Sequence, residues 1–299
     1  MSAEENIAAL LLPSRVVGNN VFVELQTLLV SNPKIPDTVD IDFSRLTFIR
    51  SPGIAFLSNF SHWLIDQGAK VTFSNLNPIS RPAIKYLDDS LFFEQHLGSK
   101  LNISSRCRPT TLPLKQVARS ECHAWLEFEF LPWLINHSGL TKTSLAEVTA
   151  CLKELFNNID DHTEFETGCV FGQWHPKEKQ IIISIADFGQ GIPNTVRRVK
   201  PELDDTAAII KAAEDGFSSK SLPTNRGAGL YLLLLNIVQR FCGRVTIRSM
   251  GGLVEFDNRN GLIYTTPHTN VGFCIGTTID LVIKTDQIPF AEEEENFEW

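Results

Sequence analysis

Glu154, Asn158 and His162, each four residues from the next, carry the groups that Mg-assisted phosphoryl chemistry needs. They offer a carboxylate able to take a proton, an amide oxygen able to ligate a hard cation, and an imidazole. Spacing of four sets them on one face of a helix, about one turn apart. Any solvated helix face shows polar residues at that interval, and Asp160 and Asp161 beside them read equally well as exposed charge. A second group follows a β-prone run, Gln180 to Ala186, which delivers the chain into Asp187-Phe188-Gly189-Gln190-Gly191-Ile192-Pro193. Two glycines two apart let the backbone turn tightly and approach a ligand, and the preceding Asp can accept from an exocyclic amine. An ordinary turn between elements has the same composition. The third group, Arg226-Gly227-Ala228-Gly229-Leu230, runs into the apolar stretch Tyr231 to Val238. Glycines at a helix start leave N–H groups and the positive end of the dipole open to an anion.

The helix under the first group is legible. Leu145, Val148, Leu152, Leu155 and Ile159 recur at three and four residues from Leu145 to His162, with Thr143 or Ser144 available as cap. Gly243 to Ser249, Leu253 to Phe256 and Gly276 to Ile283 are strand-like, and Asn194 to Asn225 reads as a long irregular stretch. Helices before and after the strands, without strict alternation, predict a helical layer on one face of a mixed or antiparallel sheet. An earlier helix over about residues 116–138 presents Trp125, Leu126, Phe130, Leu131 and Leu134 as packing or dimer surface.

Ahead of these lies a different pattern. Val39-Asp-Ile-Asp-Phe43 alternates like a half-buried strand and Leu46 to Ile49 continues it, after which Ser51-Pro52-Gly53 suits a helix start with Ser51 as N-cap. Ile54, Leu57, Phe60 and Leu64 then mark an amphipathic helix that Gly68 closes, followed by a strand over Lys70 to Ser74 and a helix over Arg81 to Leu87. That order implies a small α/β layer with parallel pairing. Arg106 to Lys115 holds two prolines and no periodicity, so the expected division is 1–105, a linker at 106–117, a second domain at 118–285, and an acidic tail at 286–299.

Composition bounds the function. The chain has 299 residues, 43% apolar and 21% charged, enough for one large or two ordinary domains. Its 27 basic against 35 acidic residues give a formal −8, which argues against a sequence-independent grip on nucleic acid or anionic lipid. Asn236 interrupts the apolar run Leu230 to Val238, so no membrane span is expected, and Glu4 and Glu5 stand where a signal peptide would be basic. A cytoplasmic chain is the expectation. The six cysteines form no Cys-x-x-Cys pair, and reduced, mostly buried thiols follow.

Taken in order, residues 118–284 resemble the GHKL ATPase fold shared by gyrases, histidine kinases and anti-sigma-factor kinases, a Bergerat α/β sandwich with a mixed, mainly antiparallel sheet. The N box matches Glu154-Leu-Phe-Asn-Asn158-Ile-Asp-Asp161-His162, the G1 box Asp187-Phe-Gly189-Gln-Gly191-Ile192-Pro193, the G2 box Gly227-Ala228-Gly229-Leu230, and the last box Gly276-Thr277. The resemblance implies ATP and Mg²⁺ as cofactors, with Asn158 on the metal, Asp187 on the adenine amine and Thr277 joining it through water. It further implies that Gly189 and Gly191 shape the base side and that Gly227 and Gly229 cradle phosphates under a lid at 194–225. Glu154 is then the catalytic acid–base group, as in gyrase-like ATPases and anti-sigma kinases. His162 is open between a site role and a helix-end role, and Lys220 and Arg226 between γ-phosphate contacts and solvated lid charge.

Residues 39–98 resemble a STAS domain, the anti-sigma-factor antagonist fold, making the whole a two-domain α/β chain. The family's acceptor loop corresponds to Arg50-Ser51-Pro52-Gly53, so Ser51 has two roles open to it, plain helix cap or phosphoacceptor. Together the halves imply a partner switch working as an ATPase or Ser/Thr protein kinase of anti-sigma-factor type, with a STAS or other regulatory protein as partner. A non-catalytic ATP-sensing module is the alternative, and a homodimer is left open. A sensor histidine kinase is disfavoured, because His123 lacks a Pro five positions on.

Overall fold

The protein is described by a computed structural model covering residues 6–17, 23, 27, 34–160, 167–217, 229–269 and 271–292, with the backbone alone at 119, 158–160 and 167. It is an α/β structure with one large antiparallel sheet and smaller parallel ones.

The N-terminal half follows the expected alternation and adds to it. β1 (Ile7–Leu11), β3 (Thr38–Asp42) and β5 (Lys70–Ser74) form a parallel sheet in the order β1-β3-β5, and β2 (Arg15–Val16) pairs in parallel with β4 (Phe48–Ile49). The apolar run at Ile7 is thus a sheet edge. Between β4 and β5 runs α1 (Ser51–Asp66), and after β5 come α2 (Pro82–Asp89) and α3 (Phe92–Leu97). The rings of Phe43, Phe73, Phe92 and Phe93 meet tilted or edge-on, with Phe92 and Phe93 centroids 5.3 Å apart.

Two expectations for α1 are corrected. Arg50, in extended backbone, is the N-cap, and Ser51 is the first helical residue. The helix is also not amphipathic in place: eleven of its 16 residues are buried, including Ser58, Asn59 and Ser61. A helix covered all round must lie between two layers, and α1 lies between the small parallel sheet and the large one.

The large sheet has seven strands in the order β11-β10-β9-β12-β8-β7-β6, and every pairing is antiparallel. The strands are β6 (Thr111–Ala118), β7 (Thr167–His175), β8 (Gln180–Asp187), β9 (Arg244–Met250), β10 (Gly252–Arg259), β11 (Leu262–His268) and β12 (Cys274–Lys284). Between β10 and β11, Asn260 and Gly261 both take positive φ, 54° and 81°, which a two-residue hairpin turn of matching twist requires.

β6 occupies most of the segment expected as a linker. Pro113 sits inside it, tolerated because β6 is an edge strand whose register shifts between Leu112 and Lys115. The helix expected from residue 116 therefore starts later, as α4 (Arg119–Trp125), widens to a π turn over Leu126–Phe130, and resumes as α5 (Leu131–Ser138). Pro132 accounts for the widening, since it has no N–H for the carbonyl four residues earlier and its ring crowds that group.

Layered with these helices are α6 (Ala146–Asp160), α7 (Ile192–Arg197), α8 (Asp205–Ala212) and α9 (Gly229–Leu233), which continues as a π segment over Leu234–Arg240. α7 and α8 correct the irregular reading of 194–225; Asp204 caps α8 by accepting from the Ala207 N–H at 2.7 Å. Strand alternation divides the sheet's side chains between two cores. Val170, Ile181, Ile183, Ile185, Ile247, Ile279 and Leu281 pack on the helical layer with Val148, Leu152 and Leu155, whereas Leu114, Phe171, Cys274 and Ile275 join the N-terminal half. No described helix is long and apolar enough to cross a membrane.

Candidate functional site

Asp187 is the last residue of β8, and its odd-numbered parity with Ile181, Ile183 and Ile185 turns its side chain toward the helical layer. Antiparallel register sets Thr277 of β12 directly opposite it. The Asp187 carboxylate accepts from the Gly189 N–H at 2.8 Å. On the far side of β12, Ser249 of β9 also pairs with Thr277 and donates to the Gly276 carbonyl at 2.8 Å, while its oxygen accepts from the Ile192 N–H at 2.9 Å. That hydroxyl ties the start of α7 to two strands. Gly191 and Gly276 have φ of +80° and +65°; a Cβ on Gly191 would lie 2.9 Å from the Ser249 hydroxyl, and one on Gly276 would lie 2.5 Å from the Phe188 Cα. Both positions need glycine for conformation and for space.

Burial pushes the Asp187 carboxyl up to about 7, against the lowering pull of the Gly189 and Thr277 backbone N–H groups. The folded value lies above the unfolded one, so the associated stability is complete at acid pH, below the ordinary carboxylate range, and is lost as pH rises through about 7. Between pH 5 and 8 this group is expected to remove about 3 kcal/mol of unfolding free energy. Urea unfolding of wild type and Asp187→Asn at both pH values checks it. Equal pH slopes in the two proteins would contradict a raised carboxyl.

Glu154 lies on α6, on the same side of the sheet as the Asp187 carboxyl. It packs against α9: a Cβ added at Gly229 would stand 2.7 Å from the Glu154 Oε1 and 2.9 Å from its Cδ. Residues from the expected N and G2 boxes, 75 positions apart, are therefore in direct contact. Leu230 follows Gly229 in α9 and packs on the helical core, as does Ile192 at the start of α7.

The remaining expected residues divide as follows. Asn158 belongs to α6, one turn beyond Glu154, and its backbone alone is described. Asp161, His162, Lys220, Arg226, Gly227 and Ala228 fall outside the described residues. Ser51 is 4% exposed, and its hydroxyl meets that of Tyr86, which donates to Gln173 Oε1 of β7 at 2.9 Å. It lies on α1, across the large sheet from Glu154. The Glu154 carboxylate and the Ser51 hydroxyl therefore lie on opposite faces of that sheet.

Ser249 and Asn59 are site residues that no motif signals. Ser249 is one hydroxyl at a strand end, and Asn59 belongs to the other half of the chain. Among the described residues no group of three or more His, Cys, Asp or Glu side chains is placed to hold a metal ion. An ion held by one amide and by phosphate oxygens would need no such group. The Asp187 carboxylate, with Thr277 opposite it, is an acceptor of the kind an exocyclic amine needs. A scan against protein-family models finds no match, and a search of curated proteins finds none.

Proposed function

We propose that the chain binds Mg-ATP in a GHKL-type pocket and acts as a partner switch, as an ATPase or a Ser/Thr protein kinase of anti-sigma-factor type, coupled to a STAS-like N-terminal half. One observation carries this: the Asp187–Thr277 pair and the Glu154–Gly229 contact lie on one side of one sheet, in the chain order of four separate motifs. The Asp187 carboxylate accepts the adenine amine and Thr277 supports it. The Asn158 amide oxygen holds Mg²⁺, while Glu154 takes the proton from the attacking water or hydroxyl. When bound, Mg-ATP supplies the transferable phosphoryl group and neutralises its charge.

The test mixes purified full-length protein with Mg-ATP and scores free phosphate, labelled protein and nucleotide affinity. Glu154→Ala is expected to lower turnover by about 100-fold or more, with affinity within about threefold. Asp187→Asn is expected to weaken binding itself by about tenfold. Label on a STAS partner identifies the kinase, and phosphate release alone identifies the ATPase. Binding without turnover reduces the chain to a nucleotide sensor, and absence of binding overturns the proposal.

A further inference from the structure

α1 does more than fill the space between two sheets. Asn59, at its centre, is 1% exposed, and its Nδ2 donates to the Asp187 carbonyl at 2.8 Å, across 128 positions of sequence. The acceptor is the backbone oxygen of the residue whose side chain faces the opposite side of the sheet. Gly276 presses on that same peptide, since a Cβ there would overlap the Asp187 carbonyl and come within 2.5 Å of the Phe188 Cα. Phe188 in turn packs against the N-terminal core. The peptide joining Asp187 to Phe188 is therefore held by the Asn59 amide, by the packing of the Phe188 ring on the N-terminal core, and on the other side by a glycine. Its orientation fixes the Cα–Cβ direction of Asp187. Asn59 Oδ1 has no partner among the described residues, so the donor is the half of this amide that the site uses.

We propose that Asn59 is a positioning residue for base recognition: through the Asp187 carbonyl, the N-terminal half sets the aim of the carboxylate and tunes adenine selectivity in cis. The proposal rests on the Mg-ATP reading, and it adds to it the regulation of that pocket by the other half of the same chain. Base selectivity follows because a carboxylate aimed at a donor amine accepts adenine and repels the 6-oxo group of hypoxanthine, whereas a misaimed one discriminates poorly. The linkage is reciprocal, so a nucleotide that orders Asp187 also tightens α1 against the sheet.

The experiment uses the full chain, wild type, Asn59→Leu and Ser61→Ala. Leucine removes the donor at nearly constant shape. Ser61 is a control on the same helix whose hydroxyl donates only to the Leu57 carbonyl one turn back. Affinities for Mg-ATP and Mg-ITP are measured by calorimetry, and hydrogen exchange is followed by mass spectrometry over peptides spanning 181–192 without nucleotide. Asn59→Leu is expected to cut the ATP-over-ITP preference by about tenfold while ITP affinity stays within about threefold. Exchange at the Gly189 amide should quicken at least about tenfold, while Ser61→Ala matches wild type in both readouts. An unchanged preference in Asn59→Leu, or a parallel loss of both affinities with falling melting temperature, would overturn the positioning role. If wild type binds neither nucleotide, the Mg-ATP reading itself fails; unaltered exchange at Gly189 in Asn59→Leu would then separately exclude any hold of Asn59 on Asp187.

Discussion

Gly276→Ala is expected to destabilise the protein by roughly 3–5 kcal/mol, from a left-handed backbone forced on alanine together with overpacking. Gly276 has φ of +65°, and an added methyl would overlap the Asp187 carbonyl while standing 2.7 Å from the Asp187 carbonyl carbon. These neighbours are backbone atoms of β8 and of the turn after it, so no side chain can swing aside. Relief requires β12 and β8 to part at their ends, which separates Thr277 from Asp187 and moves the carbonyl that Asn59 holds. Urea unfolding measures the loss, and a change below about 1 kcal/mol would show that the strand ends yield easily.

Asp280→Ala carries the second large effect. Arg248 of β9 and Asp280 of β12 form an ion pair through Nη1 and Oδ2, with side chains 10% and 7% exposed. Both point away from the helical layer, out of phase with Ile247, Ile279 and Leu281. Withdrawing the carboxylate from a guanidinium that stays buried costs about 3–5 kcal/mol, while replacing both charges by apolar side chains of similar volume is close to neutral. Asp280→Ala should thus lose several times what Arg248→Met with Asp280→Leu loses. Denaturant unfolding of the two variants decides it, and equal losses would place the cost in packing volume instead of in charge.

How much of this was legible beforehand depends on where each element's partners lie in the chain. β3, β5 and α6 announce themselves because burial on one side leaves alternation or a three-and-four stripe in the residues themselves, and β8 does so as a β-prone run. β6 hides behind Pro113, which reads as a breaker unless the strand is known to be an edge. α1 shows one apolar stripe, and Ser58, Asn59 and Ser61 read as its wet face, because nothing local tells that a distant sheet covers them. The glycine-flanked Asp187, Gly229 and Glu154 stood out by type and spacing, with roles lent by family resemblance. That Thr277 faces Asp187, or that Glu154 touches Gly229, follows from strand register and helix packing across a long chain separation, which residue pattern does not encode. Ser249 and Asn59 carried no signal: a lone hydroxyl and a lone amide gain meaning only from the atoms brought to them.

The burial of α1 on both flanks also alters what counts as a unit of this molecule. Each half on its own would bare a broad oily surface, because Phe171 and Ile275 lean on the N-terminal core and β6, which starts within the apparent joint, completes the large sheet. The seam in the residue pattern is therefore not a seam in three dimensions. A single cooperative unfolding transition for the two halves is the expected consequence.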